Sequence, residues 1–267
     1  MGLNSLKGSS GNFPRHMTEF HYVGSELSIF EKALNWKAYI RHEIGPYVKG
    51  DVLEVGAGSG TNTRIFEKLP FASWTCLEPD RMLLTGLKAR LPQLQRYELI
   101  AGTTSDVHTS RRFDTILYID VLEHIRDDHA EVHRAASLLK LGGALVVLAP
   151  AHQWLFSPFD QAIGHYRRYT KSSLAAVIPP CLRQETLFYV DSVGLLASIG
   201  NKLLLRNPLP TASQILVWDG ILIRCSRIAD RLLLRRVGKS VVGVWRLEAG
   251  TRQRSGLMTK KPRPAGT

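Results

Sequence analysis

The run Asp51-Val52-Leu53-Glu54-Val55-Gly56-Ala57-Gly58-Ser59-Gly60 limits what this chain can become more than any other stretch. A short apolar strand with an acid in its middle passes into three glycines at alternate positions. Residues 61–66 then carry a helical pattern, with Ile65, Phe66 and Leu69 on one face and Pro70 as the stop. Strand, glycine turn and helix form the opening unit of a nucleotide-binding α/β sheet. Glycine lets the backbone approach a ligand and take up φ > 0. The helix start aims free N–H groups and a positive dipole end into the crevice. The ligand is bounded too. The dinucleotide fingerprint G-x-G-x-x-G fails, because the third glycine comes one residue early at Gly60 and Thr61 holds the reserved place; the phosphate loop G-x-x-x-x-G-K-[ST] is absent. Glu54, just ahead of the glycines, would repel a pyrophosphate and suits a cationic ligand, an amine or a sulfonium. Glu78 ends the next apolar run, where an acid can accept both ribose hydroxyls. These features point to an adenosine ligand with a positive tail and no phosphate. Gly60 and Glu54 argue against a dehydrogenase.

Residues 54–60, Glu78-Pro79-Asp80, the segment 113–125 (Phe-Asp-Thr-Ile-Leu-Tyr-Ile-Asp-Val-Leu-Glu-His-Ile) and Leu141-Gly142-Gly143-Ala144-Leu145 stand in one order and spacing. That order resembles the successive motifs of class I S-adenosylmethionine-dependent methyltransferases of the small-molecule, type 11/12-like kind, over roughly residues 48–191. The resemblance implies a Rossmann-like seven-stranded sheet, mostly parallel with strand 7 antiparallel, with helices on both faces and a helical insertion between strands 6 and 7. It implies S-adenosyl-L-methionine as cofactor and S-adenosyl-L-homocysteine as product. By the same resemblance Glu54 lies near the methionine amine, and the backbone of Gly56, Ala57 and Gly58 lines the methionine and ribose. Glu78 takes the ribose hydroxyls, Arg81 or Met82 lies against the adenine, and Gly60 and Pro79 are further cofactor-binding positions. Asp120 faces the methionine part. The acid that often serves the adenine amine is replaced by Thr103, which leaves Thr103, backbone or Asp106 for that role.

The chain has 267 residues and a net charge of +12. That length suits one α/β domain with an appendage. The charge favours an anionic partner. Cys76, Cys181 and Cys225 show neither metal-ligand spacing nor a disulfide framework, and no metal is expected. Apolar runs such as 144–149 are far short of a membrane span, and no signal region is apparent, so the expected location is cytoplasmic, with peripheral membrane contact left open. The expected layout is a disordered leader at 1–20, a single domain at 21–247 and a basic disordered tail at 248–267. Within the domain, 25–44 reads as an N-terminal helix with Leu27, Phe30, Leu34 and Ala38 on one face, and 151–169 as an aromatic acceptor loop. Residues 193–236 read as a helical insertion or cap. Expected strands are 52–55, 74–78, 96–101, 115–119, 144–148, 185–190 and 240–246. Expected helices include 60–69, 80–91 and 127–140, the last with Asp127 as N-cap and Lys140 in its final turn.

Methyl transfer from a sulfonium is an in-line displacement, so the protein positions and desolvates the acceptor and helps with a base if the acceptor is a hydroxyl. Candidate bases are His124, His152, His165 and Asp160. Trp154, Tyr166, Arg167, Arg168 and Tyr169 are candidate substrate contacts; the two arginines either hold an anionic acceptor or pair with acids of the core. On 211–236, Arg224, Arg227, Arg231 and Arg235 form one stripe while Trp218, Ile221, Leu222, Cys225, Ile228, Ala229 and Leu232 face elsewhere. This suits a helix packed on the domain with a solvated arginine face, or a membrane-surface element. Nucleic acid is disfavoured: no RNA-binding module flanks the core, and Asp120-Val121-Leu122-Glu123 replaces the base-amine methylation signature. The expected function is methylation of a hydroxyl, or an amine, on a small, partly apolar and anionic acceptor such as a secondary metabolite, glycan precursor or lipid-linked intermediate. The alternatives are a C- or N-methyltransferase, and a cofactor-binding scaffold without turnover.

Overall fold

The computed structural model describes residues 31–91, 94–200 and 211–249. The expected leader, Leu27 and Phe30 of the first helix, and the tail from 250 onward lie outside these residues.

Seven strands form one sheet: β1 (Gly50–Val55), β2 (Phe71–Glu78), β3 (Tyr97–Ala101), β4 (Phe113–Ile119), β5 (Leu139–Pro150), β6 (Leu182–Val190) and β7 (Ser240–Leu247). Their order is β3-β2-β1-β4-β5-β7-β6. Strands β1 to β5 pair in parallel, and β7 runs antiparallel between β5 and β6. The expected architecture is therefore observed, including the single reversed strand. Central strands are covered on both faces, which is why residues 116–119 and 144–149 are continuous apolar runs that are buried throughout.

The order reverses between β1 and β4. Open α/β sheets bind ligands at such a switch point, outside the carboxyl ends of the strands. Here the loops after β1 and β4 touch: a Cβ on Gly56, whose φ is 67°, would lie 2.6 Å from the Val121 side chain. Three non-glycine residues with left-handed backbone follow strand ends on this same edge, Asp120 after β4, His152 after β5 and Asp191 after β6. Strain of this kind collects where chains turn sharply to expose functional groups.

Several boundaries differ from expectation. The helix after the glycines, α2 (Thr61–Ile65), stops earlier than 69, closing with tight turns from Phe66 N–H to Thr63 and from Leu69 N–H to Phe66. The helix after β2 is α3 (Arg81–Arg90), capped by Asp80. Helix α4 (Asp128–Ser137) has the expected Asp127 cap but ends before Lys140. Strand β5 begins there instead, with Leu139 opposite Phe113 and a register shift that absorbs Leu141–Gly143. Lys140 is thereby a strand residue, with Nζ 2.7 Å from both Asp51 and Asp114.

The first described helix, α1 (Leu34–Ile44), buries Lys37, Tyr39, Ile40, Glu43 and Ile44, whereas Leu34 is 69% exposed. Its N-cap position is Ala33, which has no capping group. Asp219, from the insertion, does that job by accepting from the N–H groups of Asn35 and Trp36. The insertion contains α7 (Ser192–Gly200), α8 (Ala212–Val217), a π-helical turn (Trp218–Leu222) and α9 (Ile223–Leu232). Its inner face is not the expected apolar one. Ile223, Ser226 and Asp230 face inward, while Ile221, Ile228 and Leu232 are 58%, 67% and 78% exposed. The polar inner face is used: Asp230 accepts from Tyr39 OH and from the N–H groups of Asp191 and Ser192. Asp191 accepts from Trp218 Nε1, Ser226 Oγ and Gly194 N–H. Arg235 leaves the arginine stripe, because the helix ends before it, and pairs with buried Glu43 at 2.7 Å.

Candidate active site

Two carboxylates lie on the sheet edge beside the glycine loop. Glu54, on β1, is buried and its Oε2 accepts from Thr63 Oγ1 (2.7 Å) and Trp74 Nε1 (2.9 Å). Burial pushes its carboxyl up to about 7, despite those two donors. Glu78, ending β2, accepts from the N–H groups of Gly58 (2.8 Å) and Asp80 (2.9 Å). Burial raises it too, and the two amides oppose the rise. Gly58 has φ 55°, and a Cβ there would meet nothing within 4 Å, so the loop opens onto free space beside the Glu78 carboxylate. Gly60 is different: its φ of 80° caps α2 and its face lies on Leu87, a packing role. Ala57 is buried, Pro79 is half-buried, and Arg81 and Met82 are exposed at the start of α3.

Thr103 caps a short turn with Asp106, whose Oδ2 accepts from both Thr103 N–H (2.7 Å) and Thr103 Oγ1 (3.1 Å). Of the alternatives for the adenine side, Asp106 is thus occupied locally. Asp120 is exposed directly after β4, on the edge where the strand order reverses, with protein packed around it. That desolvation lifts its carboxyl to about 6, against the pull of His165 and Lys239.

The acceptor segment is more ordered than the expected loop. It contains a turn at Gln153–Leu155 and a short helix α5 (Pro158–Ala162), before α6 (Lys171–Ala176). The run 165–169 stitches it to the loop after β4. Tyr166 N–H donates to Glu123 O, Arg167 pairs with Asp128 and donates to Arg126 O, and Tyr169 OH donates to Asp128. Arg168 grips Asp160 through Nε (2.8 Å) and Nη2 (2.9 Å). Both guanidiniums are therefore held by the protein's own carboxylates, the structural one of the two roles considered. Tyr169 is buried in the core, which corrects its assignment as a substrate contact. Trp154 and Tyr166 remain exposed on this segment.

The histidines separate. His152 turns toward the β6–β7 side, with Nε2 3.0 Å from Gly238 O and its ring against Tyr189 and Trp154. His124 and His165 meet each other edge to face, with centroids 4.4 Å apart. His165 Nδ1 lies 2.9 Å from Asp160 Oδ1, and Asp160 also accepts from Ser157 N–H and Oγ. Burial would raise the Asp160 carboxyl, but the hydrogen bonds from His165 and Arg168 hold it well below the usual carboxylate range. Asp160 is thus an orienting anion and unsuited to act as a base. Burial, with His165 alongside, lowers His124 to about 4, so that ring is neutral.

Two residues of this centre were not among the sequence candidates. Glu123 is fully buried below the two imidazoles. Lys239, half-buried at the start of β7, has its side chain in the field of Asp191, Asp120 and Asp160. Glu123 carried a signal, a second acid four residues beyond the end of strand 4 at Ile119. Lys239 carried none, because antiparallel β7 brings it to the edge from the far end of the chain.

Residues 53–145 match the family model described as a methyltransferase domain. Demethylmenaquinone methyltransferase from Tropheryma whipplei is 28% identical over 153 residues, 57% of this chain and 62% of that protein. The chain thus spans about three fifths of the length of the curated relatives it matches. Among solved structures, a S-adenosylmethionine-dependent methyltransferase from Clostridium acetobutylicum superposes with TM-score 0.54 at 12% identity, covering 84% of this chain and 98% of that one. The N-methyltransferase NodS from Bradyrhizobium japonicum, solved with S-adenosyl-L-homocysteine, gives 0.53 at 13% identity, covering 82% and 87%. At these identities the two structures speak for the fold.

Proposed function

We propose that this chain, whose residues 53–145 match a methyltransferase-domain model and whose fold is shared with S-adenosylmethionine-dependent methyltransferases, transfers a methyl group from S-adenosyl-L-methionine to a small acceptor. The observation that carries the reading is the pairing of Gly58 with Glu78. A left-handed glycine facing open space lies against a buried carboxylate at the switch point. These residues fit the cofactor: Glu78 takes the ribose hydroxyls, the backbone of Gly56 to Gly58 lines the methionine and ribose, and Glu54 and Asp120 favour the positive end. Pro79, Arg81 and Met82 flank the adenine, and Thr103 closes its far side. When bound, the cofactor supplies an electrophilic methyl group on a sulfonium.

The acceptor is a hydroxyl compound, with an amine as the alternative, and it enters past Trp154 and Tyr166. It meets His124 and His165 beside Asp120, while His152 flanks the mouth. The exposed apolar side of α9, edged by Arg224, Arg227 and Arg231, favours an acceptor at an anionic membrane surface, such as a lipid-linked intermediate. A C-methyltransferase and a silent cofactor-binding scaffold are the competing readings, and turnover with labelled methyl groups separates them.

Calorimetric titration with S-adenosyl-L-methionine and S-adenosyl-L-homocysteine tests the proposal. Micromolar binding is expected, and Glu78→Ala is expected to weaken it by about thirtyfold or more, since hydrogen bonds to a charged group contribute about 1.5–3 kcal/mol. Unchanged affinity in a folded Glu78→Ala protein overturns the ribose assignment.

A further inference from the structure

Glu123 poses a physical problem that the cofactor site does not solve. Its carboxylate is fully buried, and neither oxygen meets a hydrogen-bond donor. The nearest basic group is His165 Nε2, 3.8 Å from Oε1, too long for a hydrogen bond. A buried carboxylate in that state is costly unless a proton or a cation joins it. His124 and His165 flank it, with Asp120, Asp160 and the Arg168 guanidinium close enough to act on its charge, and one ligand atom from each of Glu123, His124 and His165 falls within 4.8 Å of the other two.

We propose that Glu123, His124 and His165 form a binding site for one divalent transition-metal cation at the acceptor end of the crevice. Donors on one cation about 2.1 Å away stand roughly 3.0–3.4 Å from each other, so the three ligand atoms, now within 4.8 Å of one another, need to close by at most about 1.4–1.8 Å. Two imidazoles and one carboxylate suit the first-row divalent ions from manganese to zinc. The surroundings resemble those that orient metal-binding histidines. Asp160 holds Nδ1 of His165 at 2.9 Å, which turns Nε2 toward Glu123. Asp160 is itself fixed by Arg168 and Ser157. The His124 ring bonds the backbone of Gly164, one residue before His165. The segment bearing His165 is tied to the Glu123 loop by the bond from Tyr166 N–H to Glu123 O. Three protein ligands leave positions open for an oxygen of the acceptor; that last step rests on the methyltransferase reading, whereas cation binding does not.

The test titrates chelator-stripped full-length protein with Co²⁺, Zn²⁺ and Mn²⁺, by calorimetry and by the visible absorption of Co²⁺, and measures cofactor affinity in parallel. One equivalent should bind at micromolar or tighter affinity and give a Co²⁺ spectrum. Glu123→Gln and His165→Ala should lower affinity at least tenfold and change the spectrum. Asp160→Asn should cost 10- to 100-fold, as loss of a ligand-orienting partner does. His129 and His133 are both exposed one turn apart on α4 and offer the obvious rival site. The His129→Ala/His133→Ala variant should keep the high-affinity equivalent. The inference is overturned if wild type binds none of the three ions tighter than millimolar, if the rival-site variant abolishes binding, or if folded Glu123→Gln binds as well as wild type. Cofactor binding without metal binding sinks this inference alone; metal binding without cofactor binding sinks the proposed function alone.

Discussion

At the residue scale, the two buried acids of the cofactor edge have different solvation. Glu78 accepts two backbone amides, whereas Glu54 has two side-chain donors on a single oxygen and a carboxyl pushed up to about 7. A carboxyl raised above its unfolded value of 4.5 binds a proton in the native state that the unfolded state has already lost, so stability contributed by this group falls as pH rises from about 4.5 to 7. Glu54→Gln keeps an acceptor oxygen for Thr63 and Trp74 and removes the buried charge. It is therefore expected to leave stability at pH 4 unchanged and to raise it by roughly 2–3 kcal/mol at pH 8, while weakening the cofactor. Denaturant melts at the two pH values check this, and an equal effect at both would refute the burial argument. Gly58 and Gly56 make a second contrast. Both have positive φ, but alanine at Gly58 meets open space and alanine at Gly56 meets Val121. Gly58→Ala should cost only the left-handed strain, about 1–2 kcal/mol, and still abolish cofactor binding because its methyl fills the crevice. Gly56→Ala should lose stability well beyond that. Equal melting midpoints with full cofactor affinity for Gly58→Ala would remove the loop from the site.

At the element scale, the helical insertion is held by buried acids as well as by Ile215, Trp218 and Ile223 in the core. Asp230 accepts from the backbone amides of Asp191 and Ser192, Asp191 in turn accepts from the side chains of Trp218 and Ser226, and Asp219 caps α1 from across the interface. Replacing Asp219 with alanine removes the side-chain cap that the described residues supply at the start of α1 and should cost about 1–2 kcal/mol, with faster amide exchange at Asn35 and Trp36 and little change in the sheet. Unchanged exchange there would show that α1 is held by its Tyr39 and Ile40 packing alone. This design also explains what the sequence could and could not disclose. The sheet was legible because its central strands carry continuous apolar runs, 116–119 and 144–149, with glycine or proline stops around them, and the cofactor edge because one local motif, 54–60, carries it. The buried side of α9 was not legible, because three hundred-degree steps of Arg, Cys and Ile read as an ordinary amphipathic helix whichever way it faces. Only the distant partners Tyr39, Asp191 and Ser192 show that Asp230 points inward. For the same reason Glu123 and His165 looked unrelated: segment 157–169 had to fold around Asp160 before they could meet. Lys140 was misread as a helix end because its two acids, Asp51 and Asp114, come from other strands.

At the scale of the whole molecule, the net charge of +12 and the inverted insertion belong to one argument. Strand β6 ends, and β7 begins, on the carboxyl edge of the sheet, so the insertion leaves and re-enters beside the crevice. Its outward side exposes Leu216, Val217, Ile221, Ile228 and Leu232, and Arg224, Arg227 and Arg231 run along one flank. Among the described residues no helix is long and apolar enough to cross a membrane. An apolar strip with a basic edge is instead suited to lie in the headgroup layer, the aliphatic side chains contributing burial and each arginine about 1 kcal/mol on an anionic surface. Wild type is therefore expected to co-sediment with vesicles containing phosphatidylglycerol, to bind pure phosphatidylcholine weakly, and to release as salt rises. Arg224→Glu/Arg227→Glu/Arg231→Glu should lose at least about a hundredfold in partition, three arginine contributions by that arithmetic, with its melting midpoint nearly unchanged because all three side chains are exposed. Ile228→Ser/Leu232→Ser should lose the fraction of binding that survives high salt, again without unfolding. If wild type ignores anionic vesicles, the exposed strip is not a membrane face, and the lipid-linked acceptor falls with it while the cofactor site stands.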